Sequence, residues 1–216
     1  MGSHQFSRQN LERALNGIGI TPKVNLYDDL AAVYGESSRH YHTSEHVSAC
    51  LCQWERYQSL AEKPYELAVA FWFHDAVYDT RRSDNEAQSA HWAERYLVAE
   101  RADSSVVSRI VEMILATKMH YATEPDSRLM IDIDLSILGA PKHVFERYDQ
   151  AIRREYDWVP EQQYRTARQQ VLKTFLDRDV IYQTQALHQR YERQARENLT
   201  RKIESLCIPA HKSMAG

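Results

Sequence analysis

Three segments of the chain place histidines and carboxylates where an ordinary amphipathic helix would not need them. In residues 39–47, His42 and His46 are four positions apart, a spacing that puts two side chains on one face if the segment is helical. In residues 71–79, an apolar run ends in a His-Asp pair, and residues 131–136 set two aspartates among apolar neighbours. These side chains are the candidates for chemistry.

An ionised carboxylate beside apolar residues is costly to bury unless a cation or hydrogen-bond donors compensate it. A divalent metal ion provides that compensation. Two neutral imidazoles and two carboxylates suit such an ion and leave positions for water and substrate. The three cysteines do not form the paired thiolate pattern of a structural zinc site, and Cys50 and Cys52 are interpreted as reduced thiols that fill core or surface positions.

The segments resemble the HD superfamily of metal-dependent phosphohydrolases, whose signature is a His, a His-Asp pair and a distant Asp. The Tyr-His-x3-His block is also similar to that of the cyclic-nucleotide phosphodiesterases. The resemblance is strongest to a small bacterial branch of predicted HD phosphohydrolases. It rests on Tyr41-His42-x3-His46-Val47, the segment 72–79, Arg82-Ser83-Asp84-Asn85-Glu86-x2-Ser89-Ala90, Ile114-x-Ala116-Thr117-x2-His120 and Asp132-x-Asp134-Leu135-x-Ile137-Leu138-Gly139.

The resemblance implies a role for each matched residue. One divalent ion, which could be Mn, Mg, Co, Ni, Zn or Fe, is expected on four ligands, and His42 is expected to donate a proton to the leaving oxygen. The opposite assignment of His42 and His46 remains open. Asp79 either orients or deprotonates the attacking water, or simply ends a helix. The four expected metal ligands are His46, His74, Asp75 and Asp134.

Several cations near these motifs are expected to hold the remaining charge of a substrate phosphate. For two of them, a solvated position at the end of a helix is the competing interpretation. His120 also lies where two-metal members of the superfamily place further ligands, whereas Asp132 is expected to make a hydrogen bond or salt bridge. The expected substrate-binding residues are Arg39, Arg81, Arg82, Lys118 and His120.

Helical periodicity dominates the rest of the chain. Apolar residues recur at helical spacing in the sets beginning at Leu11 and Val107, and no alternating run is long enough for a strand. Asp103, Pro141 and Pro160 are expected at helix starts, and Ser83 is expected to cap a helix through a capping box. The sequence therefore predicts an all-α bundle of roughly eight to ten helices.

Length and composition indicate the class of protein. The 216 residues predict a single HD-type domain, with a metal-binding core at about 39–140 and a helical C-terminal part at about 141–207. The net charge of −3 is distributed along the chain, which argues against an extended nucleic-acid surface. The longest apolar run, 67–73, is far short of the roughly 20 residues of a membrane span. A cytoplasmic protein is expected, and a homodimer is left open.

The expected function is metal-dependent hydrolysis of a phosphoester, most plausibly in a nucleotide or another small phosphorylated metabolite, as the resemblance implies. Two alternatives belong to other classes. One is an HD-type iron oxygenase, which needs a second metal and for which His42 and His120 are the visible spare ligands. The other is a nucleotide-binding regulatory module without turnover.

Overall fold

The structure, a computed structural model, describes residues 5–21 and 25–207. These residues form ten α-helices and two 3-10 helices, with no β-strand among them, and 71% of them are helical. The predicted all-α fold with eight to ten helices is confirmed. The α-helices are α1 (Arg8–Gly17), α2 (Leu26–Tyr34), α3 (Ser44–Tyr57), α4 (Pro64–Phe73), α5 (Asn85–Ala99), α6 (Ser104–Ala116), α7 (Pro125–Asp134), α8 (Lys142–Glu155), α9 (Glu161–Leu176) and α10 (Gln185–Cys207).

The chain divides into two compact units, Met1–Asp134 and Leu135–Gly216. Helices α1 to α7 belong to the first unit, and α8 to α10 belong to the second. All the residues expected to bind metal or substrate, or to act in catalysis, fall in the first unit. The candidate chemistry can therefore be described within that unit alone.

The helix boundaries follow from local signals that the sequence carries. In α1 the periodic residues Leu11, Ala14 and Leu15 are buried, and α6 buries Val107, Ile110 and Ile114 of the predicted periodic set. The Asp103 side chain accepts a hydrogen bond from the Ser105 N–H at the start of α6, as predicted. The prolines at 141 and 160 are the N-cap residues of α8 and α9, so these predictions are also confirmed.

Helix α4 is the centre of the first unit. Every residue from Glu66 to Phe73 is buried, and α4 packs against α1, α3, α5, α6 and α7. Aromatic side chains also pack around this helix, and the ring centroids of Phe6 and Trp72 lie 4.7 Å apart. Helices α3 and α7 also contact each other. The end of α4 is therefore held beside both helices that carry the other expected ligands.

In the second unit, the side chain of Asn198 on α10 holds a short 3-10 helix, Leu135–Gly139. The Asn198 Nδ2 group donates hydrogen bonds to the carbonyl oxygens of Leu138 at 2.9 Å and Ala140 at 2.8 Å. At Gly139, an added Cβ would lie 2.6 Å from the Tyr191 Cβ, so only glycine allows this close approach. These contacts fix the start of the second unit on its longest helix.

No helix in residues 5–21 and 25–207 combines the length and apolar character needed to cross a membrane. This agrees with the short apolar run seen in the sequence. The longest helix, α10, has charged side chains along its length, and α4, the most apolar helix, has ten residues.

Candidate metal centre

The four expected metal ligands all lie at helix ends. His46 is in the first turn of α3, whose N-cap Thr43 accepts a hydrogen bond from the backbone N–H of Glu45. His74 is the C-cap residue of α4, and Asp75 follows it. Asp134 is the last residue of α7. Because α3, α4 and α7 contact one another, their ends bring these side chains into one place.

The facing atoms of these side chains are as close as ligands of one ion. Ligands about 2.1 Å from an ion and at right angles to each other lie about 3.0 Å apart. The observed separations fall between 3.0 and 3.7 Å. The Nε2 atoms of His46 and His74 are 3.1 Å apart. Asp75 Oδ2 lies 3.4 Å from His46 Nε2 and 3.0 Å from His74 Nε2. Asp134 Oδ1 lies 3.1 Å from His46 Nε2 and 3.7 Å from His74 Nε2.

The ring of His74 is oriented by a backbone contact. Its Nδ1 atom lies 3.0 Å from the carbonyl oxygen of Phe71, which can only accept a hydrogen bond. Nδ1 therefore carries a proton, so that a metal ion displacing the other ring proton would meet the Nε2 lone pair directed at the cluster. Histidines that bind metal ions usually donate their other ring N–H to a carbonyl or carboxylate oxygen in this way.

Cys50 is a further member of the cluster that sequence analysis had treated as a filling residue. His46, Cys50, His74 and Asp134 offer potential ligand atoms within 4.8 Å of one another, and this buried group could bind a metal ion. The sulfur lies 3.9 Å from both ring nitrogens of His46. It therefore lies alongside the ring rather than along the Nε2 lone pair. Asp75 is outside this group, but its Oδ2 atom lies 3.0 Å from His74 Nε2 and 3.4 Å from His46 Nε2. The His46-x3-Cys50 spacing on α3 is the sequence signal for this proximity.

The electrostatic balance of the cluster favours positive charge on its imidazoles. Burial is the largest influence on both rings and would lower their pKa values, but the neighbouring groups outweigh it. The pKa of His46 is raised well above the usual 6.5 by Cys50 and by hydrogen bonds to the two carboxylates. The pKa of His74 is raised well above the same value by the charge of Asp75 and by Asp134.

The two carboxylates shift in the opposite direction. Burial would raise the pKa of Asp75, but the charges of His74 and His42 hold it well below the usual 3.8. Burial acts likewise on Asp134, whose pKa is held well below 3.8 by the neighbouring imidazoles of His120, His46 and His74. A cluster that retains two anions and attracts protons is also a cluster suited to a divalent cation.

The raised histidine pKa values predict how the stability of the metal-free protein depends on pH. Protonated His46 and His74 stabilise the folded state fully below their unfolded pKa of about 6.5, and this contribution is lost as the pH rises through their higher folded pKa values. Thermal unfolding of chelator-treated protein should therefore show a falling Tm above about pH 6.5. A H74N variant should flatten the profile.

The metal-loaded protein should behave in the opposite way. Metal ions displace protons from the imidazoles, so affinity for the ion increases as the pH rises. The same unfolding series with saturating metal should show a growing difference in Tm from the metal-free protein. A Tm of the metal-free protein that increased through this range would contradict the protonation of the two rings.

His42 precedes α3 rather than sharing a helix face with His46, because Thr43 is the N-cap. The helical spacing considered for this pair therefore does not apply. The structure nevertheless brings the rings within 5.9 Å of each other, and the charge of His42 acts on Asp75. The His42 ring stacks on Tyr78, with centroids 3.9 Å apart and planes at 26°. His42 is thus placed beside the four ligands, on a different segment of backbone.

Asp79 lies in a turn after α4 whose backbone is bound by a neighbouring side chain. The Asp79 N–H donates to Asn85 Oδ1 at 3.1 Å, and Asn85 Nδ2 donates to the Asp79 carbonyl oxygen at 2.9 Å. The Asp79 carboxylate accepts a hydrogen bond from the backbone N–H of Arg81. This geometry favours a role in the turn over one on a water molecule.

The predicted capping box at the start of α5 is wrong. The N-cap residue is Asp84, not Ser83, and its side chain makes no capping hydrogen bond. The Asp84 carboxylate instead binds the side chains of Arg82 and Gln88. The side chains of the motif that begins at Arg82 thus order the turn that follows the expected ligands His74 and Asp75.

The expected phosphate-binding cations around this turn are exposed and already in contact with protein groups. Arg82 makes a bidentate ion pair with Asp84, at 2.8 and 2.7 Å. Lys118 Nζ donates to the carbonyl oxygen of Ser83 at 2.8 Å, and Arg81 is exposed in the same loop. A substrate phosphate would compete with these contacts.

Arg39 and His120 are placed differently from these surface cations. The Arg39 side chain is 2% exposed, and its donors are directed at backbone carbonyls and Glu36. His120 has a left-handed backbone with φ of 47°, and its Nε2 atom lies 3.7 Å from Asp134 Oδ2. His120 therefore contacts the oxygen of Asp134 that faces away from His46. Asp132 is fully buried on α7, outside the ligand group of the described residues.

Comparison with known proteins adds no family to this description. The chain matches no protein-family model, no curated protein and no solved structure. The site is defined by its own geometry: two imidazoles, two carboxylates and one thiol at the meeting point of three helix ends.

Proposed function

We propose that the chain is an HD-type phosphohydrolase that uses one divalent metal ion to hydrolyse a phosphoester in a nucleotide or another small phosphorylated metabolite. The observation that carries the proposal is the convergence of two imidazole nitrogens and two carboxylate oxygens at separations of 3.0 to 3.7 Å. The motif order noted in the sequence supports the choice of reaction class.

The residues present fit such an ion. His46, His74, Asp75 and Asp134 would hold it, with two anionic ligands balancing its charge and with His74 fixed in the tautomer that ligation requires. When bound, a divalent ion supplies a water of lowered pKa and positive charge for the phosphoryl oxygens. No redox change is needed, so several ions could support the reaction.

His42 is the proton donor in this proposal. It is half-buried beside the cluster, and its stacking on Tyr78 restricts the orientation of its ring. An imidazolium at this place can transfer a proton to the departing alkoxide oxygen, which is otherwise a poor leaving group. Lys118 and Arg82 are the exposed cations that would hold the outer part of a phosphorylated substrate.

The proposal is tested by screening metal-loaded protein against a panel of phosphorylated metabolites. Phosphate release should stop on chelation, return on addition of a redox-inert ion such as Mg²⁺ or Zn²⁺, and not depend on oxygen. A H74A variant serves as the inactive control because its Nε2 ligand is missing. A protein that binds no divalent ion, or that is inactive against the whole panel when loaded, would overturn the proposal.

One observation favours a second candidate function. His120 Nε2 lies 3.7 Å from Asp134 Oδ2, so His120 and Asp134 would be the residues to hold the second metal ion that an iron oxygenase needs. Metal analysis separates the candidates, because the oxygenase needs two iron ions per chain and dioxygen. Turnover that occurred only with iron and dioxygen would establish this alternative over hydrolysis.

A further inference from the structure

The side chain of Arg39 forms a buried bridge between the two backbone segments that flank the metal cluster. Its Nη1 atom donates to the carbonyl oxygen of Asp75 at 2.6 Å and to that of His42 at 3.3 Å. Its Nη2 atom donates to the carbonyl oxygen of Ala76 at 3.0 Å, and Nε donates to Glu36 Oε2 at 3.1 Å. One guanidinium thus binds the segment before α3 and the segment after α4.

These segments need such a partner because neither is helical. Helix α4 ends at Phe73, so the carbonyl oxygens beyond it accept no hydrogen bond from a helical N–H group. A cation at the C-terminal end of a helix also interacts favourably with the helix dipole. Arg39 therefore satisfies backbone groups immediately next to a metal ligand, and it leaves the Asp75 carboxylate directed at the histidines.

Arg39 also holds the aromatic ring on which His42 is stacked. Its guanidinium lies 5.3 Å from the ring centre of Tyr34 and 5.8 Å from that of Tyr78. Tyr78 in turn stacks on His42. The same side chain therefore acts on both the expected ligand Asp75 and the expected proton donor.

We propose that Arg39 is a positioning residue that fixes the Asp75 and His42 segments relative to each other, and not a contact for substrate phosphate. This proposal rests on the proposed metal site. With its side chain 2% exposed and its N–H groups bound to three carbonyls and one carboxylate, Arg39 could reach a phosphate only by giving up buried hydrogen bonds.

The test compares Co²⁺ binding by the wild type with binding by R39M, R39K and a control variant, R109M. Arg109 lies in the same unit and makes a bidentate ion pair with the buried Glu66 on the first turn of α4, at 2.7 Å for both contacts. Glu66 is about 12 Å from His74 along the helix. R109M thus removes an arginine of α6 that binds the start of α4, at the end of that helix away from the metal cluster.

R39M should bind Co²⁺ about 10- to 100-fold more weakly than the wild type, the range for losing a group that orients a ligand. Its visible Co²⁺ absorption bands should also change, because Asp75 is no longer held in one geometry. The Co²⁺ affinity of R39K should lie between those of the wild type and R39M, since an ammonium group has fewer donors than a guanidinium and lacks its planar fork. R109M should lower the Tm but leave the affinity and the spectrum unchanged.

Each contrary outcome has a distinct meaning. If R39M keeps the wild-type affinity and spectrum and loses only Tm, as R109M does, Arg39 is merely structural. If R39M raises KM for substrate with Co²⁺ binding intact, Arg39 is a substrate contact, and positioning is again wrong. If R39M does not fold, R39K decides, and wild-type behaviour there overturns the proposal. A wild type that binds no Co²⁺ shows instead that the metal-site proposal itself has failed.

Discussion

A D75N substitution should weaken divalent-ion binding by more than about 100-fold, whereas C50S should change it by less than roughly threefold. Loss of a residue that only orients a ligand costs about 10- to 100-fold, so loss of a ligand should cost more. The Asp75 Oδ2 atom lies 3.0 Å from His74 Nε2 and 3.4 Å from His46 Nε2, close to the separation of two ligands on one ion. The Cys50 sulfur is instead equidistant from both ring nitrogens of His46. Asn lacks the charge that balances the ion.

The measurement is a competition titration of each variant with a chromophoric chelator, using Mn²⁺ and Zn²⁺. D103N is the matched control, because Asp103 caps α6 away from the cluster and Asn is an equally good N-cap residue. If C50S lost the ion and D75N retained it, the ligands would be His46, Cys50, His74 and Asp134 instead. Such a result would also predict a preference for Zn²⁺ over Mn²⁺, since thiolates select softer ions.

Replacing His42 by Ala should slow hydrolysis of a substrate with an alkoxide leaving group by about 10²- to 10⁴-fold, with metal content unchanged. This is the usual cost of removing a general acid. His42 lies on the segment before α3 and is stacked on Tyr78, whereas the four expected ligands lie at the ends of α3, α4 and α7. Its loss should therefore affect proton transfer more than metal binding.

A change of leaving group makes the test of His42 specific. A nitrophenolate leaves without protonation, so H42A should be far less impaired on a nitrophenyl phosphoester than on an alkyl phosphoester. H91A is the control, because His91 is exposed on α5 and pairs only with Glu94 among the contacts described. Loss of metal from H42A to the same degree as from H74A would show that His42 is a ligand.

The helices and the ends of the buried segments could be predicted from the sequence because their signals are local. Periodic apolar residues and N-cap residues gave α1, α6, α8 and α9, and the apolar run before His74 is indeed a buried helix that ends there. The relation of His42 to His46 could not be predicted in the same way. Thr43 is the N-cap of α3, so the helix begins after His42. A spacing of four residues does not by itself show where a helix begins.

Contacts between distant residues were beyond such local signals. Arg39 was expected to bind phosphate because it is a cation beside a histidine motif, yet its partners lie 36 and 37 positions along the chain. Similarly, no local signal predicts that the Asn85 side chain binds the backbone of Asp79. The type of a polar residue indicates that it needs a partner, and only the packing of helices decides which one.

The burial of α4 from Glu66 to Phe73 has a consequence for how metal binding would affect the dynamics of the protein. Backbone amides of a helix enclosed on every side exchange hydrogen with solvent only when the whole cooperative unit opens. The His-Asp pair stands at the end of that helix, so an ion bound there would be released in the same opening event. Because the ion would bind only the closed state, occupancy of the site would lower the population of the open state. Hydrogen exchange would then slow throughout the first unit.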